Sequence, residues 1–444
     1  MRPTPRTAAN VCVSALLGAC QPNPPSERNP TTPAIPEAAP VPPSSPEQPP
    51  PELPTKQHPI DPVDPAPSPT ASYTPGPLAA TAIDSGVLLI WTRHDSAANK
   101  SEILGLQLDA RGDARGEPRL IRRTSGIILD LAVDRRDGTA WLAWVAQLST
   151  TPDLPRALIA AIQIEPDLSA MRAPITLGQF VARDLDTWPD RDLVDVLDLA
   201  DDAAAVAATG TDAECTDIVT DRKTKCFGFD LHWLRADGTH TIAGKAGTDG
   251  GDPGTGDLVD VGTGVLFDIW AWHGGATHTT IYAPYQLPLA TPPFPIHHCR
   301  PPFTRSWTGS ELVTLCPDDY SEDDCTGGIS SEPGACTRVH TAVRDDRAVP
   351  VREQTRRCAG GHPVLDLRTK GGKIRLDPHA PGASIELDLG VWTGTHAVKV
   401  TTDGARELWT CNKSGEFVPA EATGDVLSLD PDPTSLKSVP TRAP

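Results

Sequence analysis

The sequence predicts an all-β fold, on three observations. Beyond Pro77 the chain consists of apolar runs of four to eight residues separated by Asp, Gly and Pro, the length and punctuation of strands and tight turns. Helical signals are nearly absent, and the candidate Asp201 to Ala208 is too short to stand as a helix. The runs also recur in groups of four, about 50 residues to the group. Four antiparallel strands cannot bury both faces alone and must stack against neighbouring groups around an axis. The expected architecture is therefore a β-propeller of about six or seven four-stranded blades. Tandem β-sandwiches give the same alternation and are the alternative.

In chain order, Arg2 and Arg6 form a short positive start, and Ala8 to Ala19 is a mostly apolar stretch. It is too short to cross a bilayer and suits a secretory signal. Its end, Leu17-Gly18-Ala19-Cys20, resembles the lipobox of bacterial lipoproteins. The resemblance implies cleavage before Cys20, acylation of its thiol and a lipid-anchored place in the bacterial cell envelope. Gln21 in place of aspartate favours the outer membrane. From Gln21 to Pro77 there are 21 prolines in 57 residues. Proline fixes φ and removes a backbone donor, so neither helix nor sheet is expected. Such a spacer reaches between roughly 40 Å as coil and 175 Å as polyproline II. The expected organisation is a signal over 1–19, a lipidated and disordered linker over 20–78, a propeller-like domain over 79–430 and a tail over 431–444.

The first group reads Gly86 to Trp91, Ile103 to Leu108 and Arg119 to Ile121. The second reads Ile127 to Val133, Thr139 to Val145 after Asp137-Gly138, Ala157 to Ile164 and Ile175 to Leu177. The third reads Leu193 to Leu199, Ala203 to Ala208, Phe227 to Trp233 and, after Asp237-Gly238, Thr239 to Ala243. Further on, Trp307-Thr308-Gly309-Ser310-Glu311-Leu312-Val313 matches Trp392-Thr393-Gly394-Thr395-His396-Ala397-Val398 at a spacing of 85 residues, read as two short blades. Both resemble the W-T-G-S hairpin of divergent kelch-like propellers, although the paired glycines of the full kelch signature are missing. That resemblance implies a tryptophan packed between blades and a glycine making the turn. A hairpin over Val398 to Trp409 turns at Asp403-Gly404, a pair suited to a type I′ turn. The stretch from Tyr285 to Cys358 breaks the rhythm with a proline-rich excursion and a polar loop, as functional loops often do.

Composition sets the compartment and the partners. The net charge is −19, from 39 Lys and Arg against 58 Asp and Glu, so the surface repels phosphate backbones and nucleic acid is not an expected partner. Ten cysteines are present. Cys12 and Cys20 lie in the signal, leaving Cys215, Cys226, Cys299, Cys316, Cys325, Cys336, Cys358 and Cys411, an even set without a CxxC pair. Proximity pairs Cys215 with Cys226, Cys299 with Cys316, Cys325 with Cys336 and Cys358 with Cys411, one of 105 connectivities. An oxidising compartment follows.

Catalytic signatures are lacking: there is no GxSxG elbow, HExxH helix, P-loop or GxGxxG turn. His297 and His298 beside Cys299 are the most ligand-like group, but adjacent residues of a strand point to opposite sides. Asp318, Asp319, Glu322, Asp323 and Asp324 form the densest carboxylate run. Calcium takes six to eight oxygens, and Asp323 and Asp324 are its candidate ligands, without the spacing of an EF-hand. Asp190, Asp192, Asp195, Asp198, Asp201 and Asp202 alternate with Leu and Val, which reads as a strand with one wet face. The ten tryptophans suit blade-to-blade packing better than sugar stacking. The functional expectation is a membrane-anchored extracytoplasmic module that binds protein or glycan through its loops. An extracytoplasmic hydrolase or lyase on the same fold is the alternative. Converging Asp, Glu, His or Arg at the propeller axis would distinguish the second from the first.

Overall fold

The computed structural model describes residues 72–444 except 137, 149–155, 170–171, 182–192, 200–202, 210–212, 218–221, 227, 236, 248–251, 254–257, 273–275, 286–303, 318–339, 345–346, 370, 386, 388, 423, 425, 432–435 and 439–444. Two units divide the chain: Met1–Asp64, which lies outside the described residues, and Pro65–Pro444, to which all that follows belongs. Among the described residues there are strands and no helix, and they form a β-propeller of six blades.

Blade 1 comprises β1 (Tyr73–Ile83), β2 (Gly86–Asp95), β3 (Lys100–Asp109) and β4 (Arg119–Ser125), each antiparallel to the next. Blade 2 repeats the order with β5 (Ile127–Asp134), β6 (Ala140–Gln147), β7 (Arg156–Ile164) and β8 (Ile175–Val181). In blade 3, β9 (Val194–Leu199) and β10 (Ala203–Thr209) are followed by a side hairpin of β11 (Ala213–Asp217) and β12 (Arg222–Cys226), then by β13 (Gly228–Leu234) and β14 (His240–Gly247). In blade 4, β15 (Asp252–Pro253) and β16 (Leu258–Asp260) share one edge of β17 (Gly264–Trp272), and β18 (Ala276–Pro284) takes the other.

Blade 5 comprises β19 (Thr304–Trp307), β20 (Leu312–Pro317), β21 (His340–Arg344) and the long β22 (Arg347–Ala359). Past a register shift between Val351 and Glu353, β22 also carries β23 (His362–Thr369) and β24 (Gly372–Leu376). Blade 6 is β25 (Val391–Trp392), β26 (His396–Val400), β27 (Arg406–Cys411) and β28 (Phe417–Ala420). Finally β29 (Lys437–Ser438) returns to pair in parallel with β4.

The expected groups correspond to blades 1 to 3, with β1 added to the first and the β11–β12 hairpin to the third. β1 starts at Tyr73, within the stretch expected as linker. Pro75 and Pro77 are accommodated because β1 is an edge strand and its register shifts between Pro75 and Leu78. The two W-T-G segments join the first and second strands of blades 5 and 6, so they are one blade apart and the interval is lengthened by β21 to β24. In each, the threonine N–H donates to a carbonyl three residues on, Glu311 in one and His396 in the other. The glycine takes the same left-handed φ, +91° at Gly309 and +89° at Gly394. The Asp403-Gly404 turn differs from type I′, since only Gly404 has positive φ. Thr401 N–H donates to Ala405 O and Gly404 N–H to Thr401 O, the three-residue loop ending in a left-handed glycine.

Period-two alternation explains the core. On the fully buried β6, Leu142, Trp144 and Ala146 pack towards blade 1, while Trp141, Ala143 and Val145 pack towards blade 3. The same sharing continues from blade 3 to blade 4 through Phe229 and Phe267, and from blade 6 to blade 1 through Val398, Leu408 and Trp91. Trp307 packs against Val259 and Val261 of blade 4. The ring closes on Arg93, buried in β2: it pairs with Glu102, donates to Asp430 and Pro431 O, and lies 3.9 Å over the Tyr73 ring.

Candidate functional site

The first strand of each blade lies nearest the axis, and carboxylates join these strands to one another. Asp130 Oδ2 on β5 accepts from Leu193 N (2.5 Å) and Val194 N (2.9 Å), at the start of β9. Asp134 Oδ2 accepts from Asp198 N at 2.8 Å. The near-constant offset between partners means that β5 and β9 run in parallel, as neighbouring inner strands of a propeller do. Asp195 Oδ2 on β9 repeats the contact one blade on, accepting from Leu258 N at 2.8 Å. Parallel inner strands of adjacent blades are too far apart for a backbone ladder, so aspartate side chains satisfy N–H groups that would otherwise be buried without partners.

At the end of the axis where the first strand of each blade turns into the second, these carboxylates meet an arginine pair. Arg135 donates to Asp84 (2.9 Å), at the turn of blade 1. The backbone N–H of Arg136 donates to Asp198 of blade 3 (2.7 Å), and its guanidinium reaches Asp260 of blade 4 at 2.7 Å. Tyr285, just past β18, donates its hydroxyl to the other oxygen of Asp260, which also accepts from Gly262 N. The Tyr285 ring lies 6.2 Å from that of Trp233. One residue of blade 2, Arg136, thus ties three blades together at this mouth, through its backbone N–H and its guanidinium. The Arg136 side chain is 47% exposed and Tyr285 38%, whereas the Asp260 side chain is 11% exposed. The carboxylate is the floor and the arginine and tyrosine are the accessible surface.

Electrostatics distinguish the acids. Burial pushes the Asp134 carboxyl above its usual range, against the lowering effects of the Asp198 and Arg135 N–H groups and the Arg136 charge. Tyr285 is raised as well, first by burial and then by its bond to the Asp260 carboxylate. Neutral tyrosine is therefore the donor throughout the working range of pH.

The sequence analysis named Asp195 and Asp198 only as part of a wet strand face and assigned none of these residues to a site, although a signal for them existed. Leu129-Asp130-Leu131, Val194-Asp195-Val196 and Val259-Asp260-Val261 recur at intervals of 65 residues. An acid between two apolar residues on an inner strand is its trace. The wet-strand reading of the Asp190 to Asp202 stretch is corrected for β9: Asp198 is buried, and Asp195 and Asp198 accept backbone N–H groups from neighbouring blades. The first two members of the series latch the next blade, and the third, Asp260, serves the mouth.

Of the expected cysteine pairs, Cys358–Cys411 is a disulfide with Cα atoms 5.8 Å apart, linking β22 of blade 5 to β27 of blade 6. Cys215 and Cys226 lie on the side hairpin, Cys215 opposite Thr224 and Cys226 opposite Ala213. Cys316 lies in β20. Cys20, His297, His298, Cys299, Asp318, Asp319, Glu322, Asp323, Asp324, Cys325 and Cys336 lie outside the described residues. Among the described residues no group of three or more His, Cys, Asp or Glu is placed to hold a metal ion, and no helix is long and apolar enough to cross a membrane.

No protein-family model matches the chain, and no curated protein does. Similar solved structures include the GH43 endo-arabinanase from Bacillus licheniformis, at 11% identity and a TM-score of 0.27, covering 48% of this chain and 75% of that one. The Trypanosoma rangeli sialidase in complex with sialic acid aligns at 7% identity and a TM-score of 0.34, covering 69% of this chain and 53% of that one. The hemagglutinin-neuraminidase of parainfluenza virus 5 aligns at 8% and 0.29, covering 80% and 91%. The chain spans about half the length of the sialidase. Likeness this low assigns no activity to the chain.

Proposed function

We propose that the chain is an envelope-anchored propeller that binds a glycan at the mouth formed by blades 2, 3 and 4. One observation carries the reading: Arg136 and Tyr285, both accessible, are held in place by the Asp260 carboxylate beneath them, with Trp233 beside the tyrosine. An arginine fork and an aromatic edge on a fixed base suit a hydroxyl-rich ligand that presents both polar groups and an apolar ring face. Asp134 and Asp198 accept backbone N–H groups, a positioning role rather than a reacting one. The anchor is Cys20 in this proposal, with the proline-rich stretch as spacer. Arg135 places the Ile83 end of β1 at the mouth through its bonds to Asp84 and Ala82 O. β1 spans roughly 30 Å, so its Tyr73 end lies far from the mouth.

Two measurements test this. Titration of the purified chain with cell-envelope glycan fragments should show binding that Tyr285→Ala and Arg136→Ala each weaken about tenfold; equal binding by both variants refutes the mouth. Mass spectrometry of the mature N-terminus should find a diacylglyceryl group on Cys20; an unmodified Met1 refutes the anchor.

A hydrolase is the second reading, and the raised Asp134 carboxyl favours it. Glycosidic hydrolysis needs two carboxyl groups whose environments set them apart, and burial raises Asp134 while Arg136 links its neighbourhood to the Asp260 carboxylate. Release of reducing sugar from a bound glycan, abolished in both Asp134→Asn and Asp260→Asn, would establish it over binding alone. The calcium expected at Asp323 and Asp324 belongs to the same proposal as a support of the loop: replacing both by Asn should remove any calcium-dependent gain in melting temperature.

A further inference from the structure

The outer sheet of blade 5 reverses the charge of the molecule. The chain carries −19 overall, yet residues 347–377 hold eight Lys and Arg against three Asp and Glu. The register of β22, β23 and β24 puts much of this charge on one face: Glu353 lies opposite Arg368 and Arg368 opposite Lys373, while Thr355 lies opposite Asp366 and Asp366 opposite Arg375. The other face of β23 and β24 is apolar, with Leu365, Leu367, Ile374 and Leu376 in the core. The charged face is therefore fixed outward by the alternation of the strands. It forms a shallow hollow of about 500 Å³ whose lining includes Arg357, Arg368, Lys373, Glu353 and Thr355.

Asp366 organises this hollow. Its side chain is 5% exposed, and it accepts from Arg375 through both oxygens (2.8 and 3.3 Å) and pairs with Lys373 at 2.6 Å. Arg375 and Lys373 are each about half exposed, and Arg368 is 76% exposed. A buried carboxylate thus holds two cations upright with outer donors to spare, since a guanidinium has five N–H groups and an ammonium three. Cations ordered in advance lose less entropy on meeting an anion than mobile surface lysines do.

We infer that this face is a docking surface for an acidic polysaccharide, one carrying carboxylate or sulfate groups among free hydroxyls. Charge complementarity selects the anion, because Arg357, Arg368 and Lys373 line the hollow against Glu353 and Asp366, a net positive spot on an otherwise acidic molecule. The mixed lining selects the sugar. Glu353 is an acceptor, and Thr355 can donate or accept, so both suit hydroxyl groups that a bare polyphosphate lacks. Nucleic acid is disfavoured because a long phosphate polymer extending beyond the hollow meets a chain that carries −19 overall. This surface is separate from the mouth and does not depend on the reading given to it.

The experiment is isothermal titration of the full chain, at low and physiological salt, with a polygalacturonate hexamer and a heparin hexasaccharide. A neutral dextran oligosaccharide and a short polyphosphate serve as comparators. Binding of an acidic oligosaccharide that weakens with salt is expected, with little or no binding of dextran. The double substitution Arg368→Gln and Lys373→Gln should weaken it roughly tenfold or more, while Tyr285→Ala leaves it unchanged. Both substituted residues are exposed, so the variant should fold, and an unaltered melting curve checks this. No binding at low salt, undiminished binding by the folded double variant, or equally tight binding of polyphosphate would each overturn the inference.

Discussion

Replacing Asp130 by alanine tests whether side-chain latches hold the blades in register. Among the described residues, Asp130 Oδ2 accepts the N–H groups of Leu193 and Val194 in the next blade, and Asp195 Oδ2 accepts that of Leu258. In each residue Oδ1 also accepts from the following N–H, at 2.7 Å for Leu131 and 2.8 Å for Val196. The local bonds cancel in a comparison of the two sites. With about 1.5 kcal/mol for each N–H that loses a charged acceptor, Asp130→Ala should cost about 3 kcal/mol and Asp195→Ala about 1.5 kcal/mol. A unit of roughly 380 residues has an unfolding entropy near 0.8 kcal/mol per kelvin, so the melting temperature should fall by about 4 °C and about 2 °C. Asp130→Asn should not restore the loss in full, because the amide can present its single oxygen either to the Leu131 N–H or to the next blade, not to both. Differential scanning calorimetry of the four proteins decides. Equal shifts for Asp130→Ala and Asp195→Ala, or a shift under about 1 °C for Asp130→Ala, would refute latching.

Three further outcomes follow from the structure. Asp134 and Asp366 should give opposite dependences on pH. The carboxyl of Asp134 is raised by burial, so its folded form holds a proton that the unfolded chain has released, and stability falls as pH climbs from about 3.9 through the raised value. The carboxyl of Asp366 is lowered, chiefly by its hydrogen bond from Arg375, so its contribution is present above about 3.9 and is lost as pH falls through the folded value. Denaturant titrations of Asp134→Asn and Asp366→Asn between pH 2 and 7 should remove these two slopes separately. Arg93→Ala leaves buried Glu102 with Arg123 alone and releases Asp430; a loss of about 3–5 kcal/mol is expected, with protease cleavage appearing first near Pro431. Gly309→Ala should cost more than Gly394→Ala. Both glycines have φ near +90°, but of the two only Gly309 would bring a new Cβ against a backbone oxygen, that of Pro381, while Gly394 faces open space. Paired melting curves compare them directly.

Much of the fold was legible because propeller strands are short, apolar and evenly punctuated. The second group of runs, Ile127 to Leu177, corresponds strand for strand with β5 to β8, since each run is bounded by residues that end strands. β1 was hidden by its prolines, which mark an edge strand as readily as a linker. The strand-switching of β22 was hidden too, because a thirteen-residue run with one register shift looks like a single strand. The mouth was not legible as chemistry. Its arginine and its carboxylates come from three blades and are brought together by closure of the ring, which local patterning does not encode. Asp195 and Asp198 look like ordinary outward-facing acids until the neighbouring blade supplies the N–H groups they accept.

The latches and the mouth are consequences of one geometrical constraint. Inner strands of adjacent blades diverge too far for backbone pairing, so each inward N–H needs a side-chain acceptor, and aspartate is the shortest that can reach. In blades 2 and 3 the next blade's inner strand begins level with the aspartate and takes up its carboxylate. At Asp260 the inner strand is only three residues long, and the carboxylate turns to Gly262 N, to Tyr285 and to Arg136. A shortened strand thus converts a structural acceptor into the base of an accessible arginine and tyrosine. Lengthening the inner edge of blade 4 would return Asp260 to latching and dismantle the mouth. The accessible arginine and tyrosine at this end of the axis are therefore tied to the point where β16 ends, at Asp260.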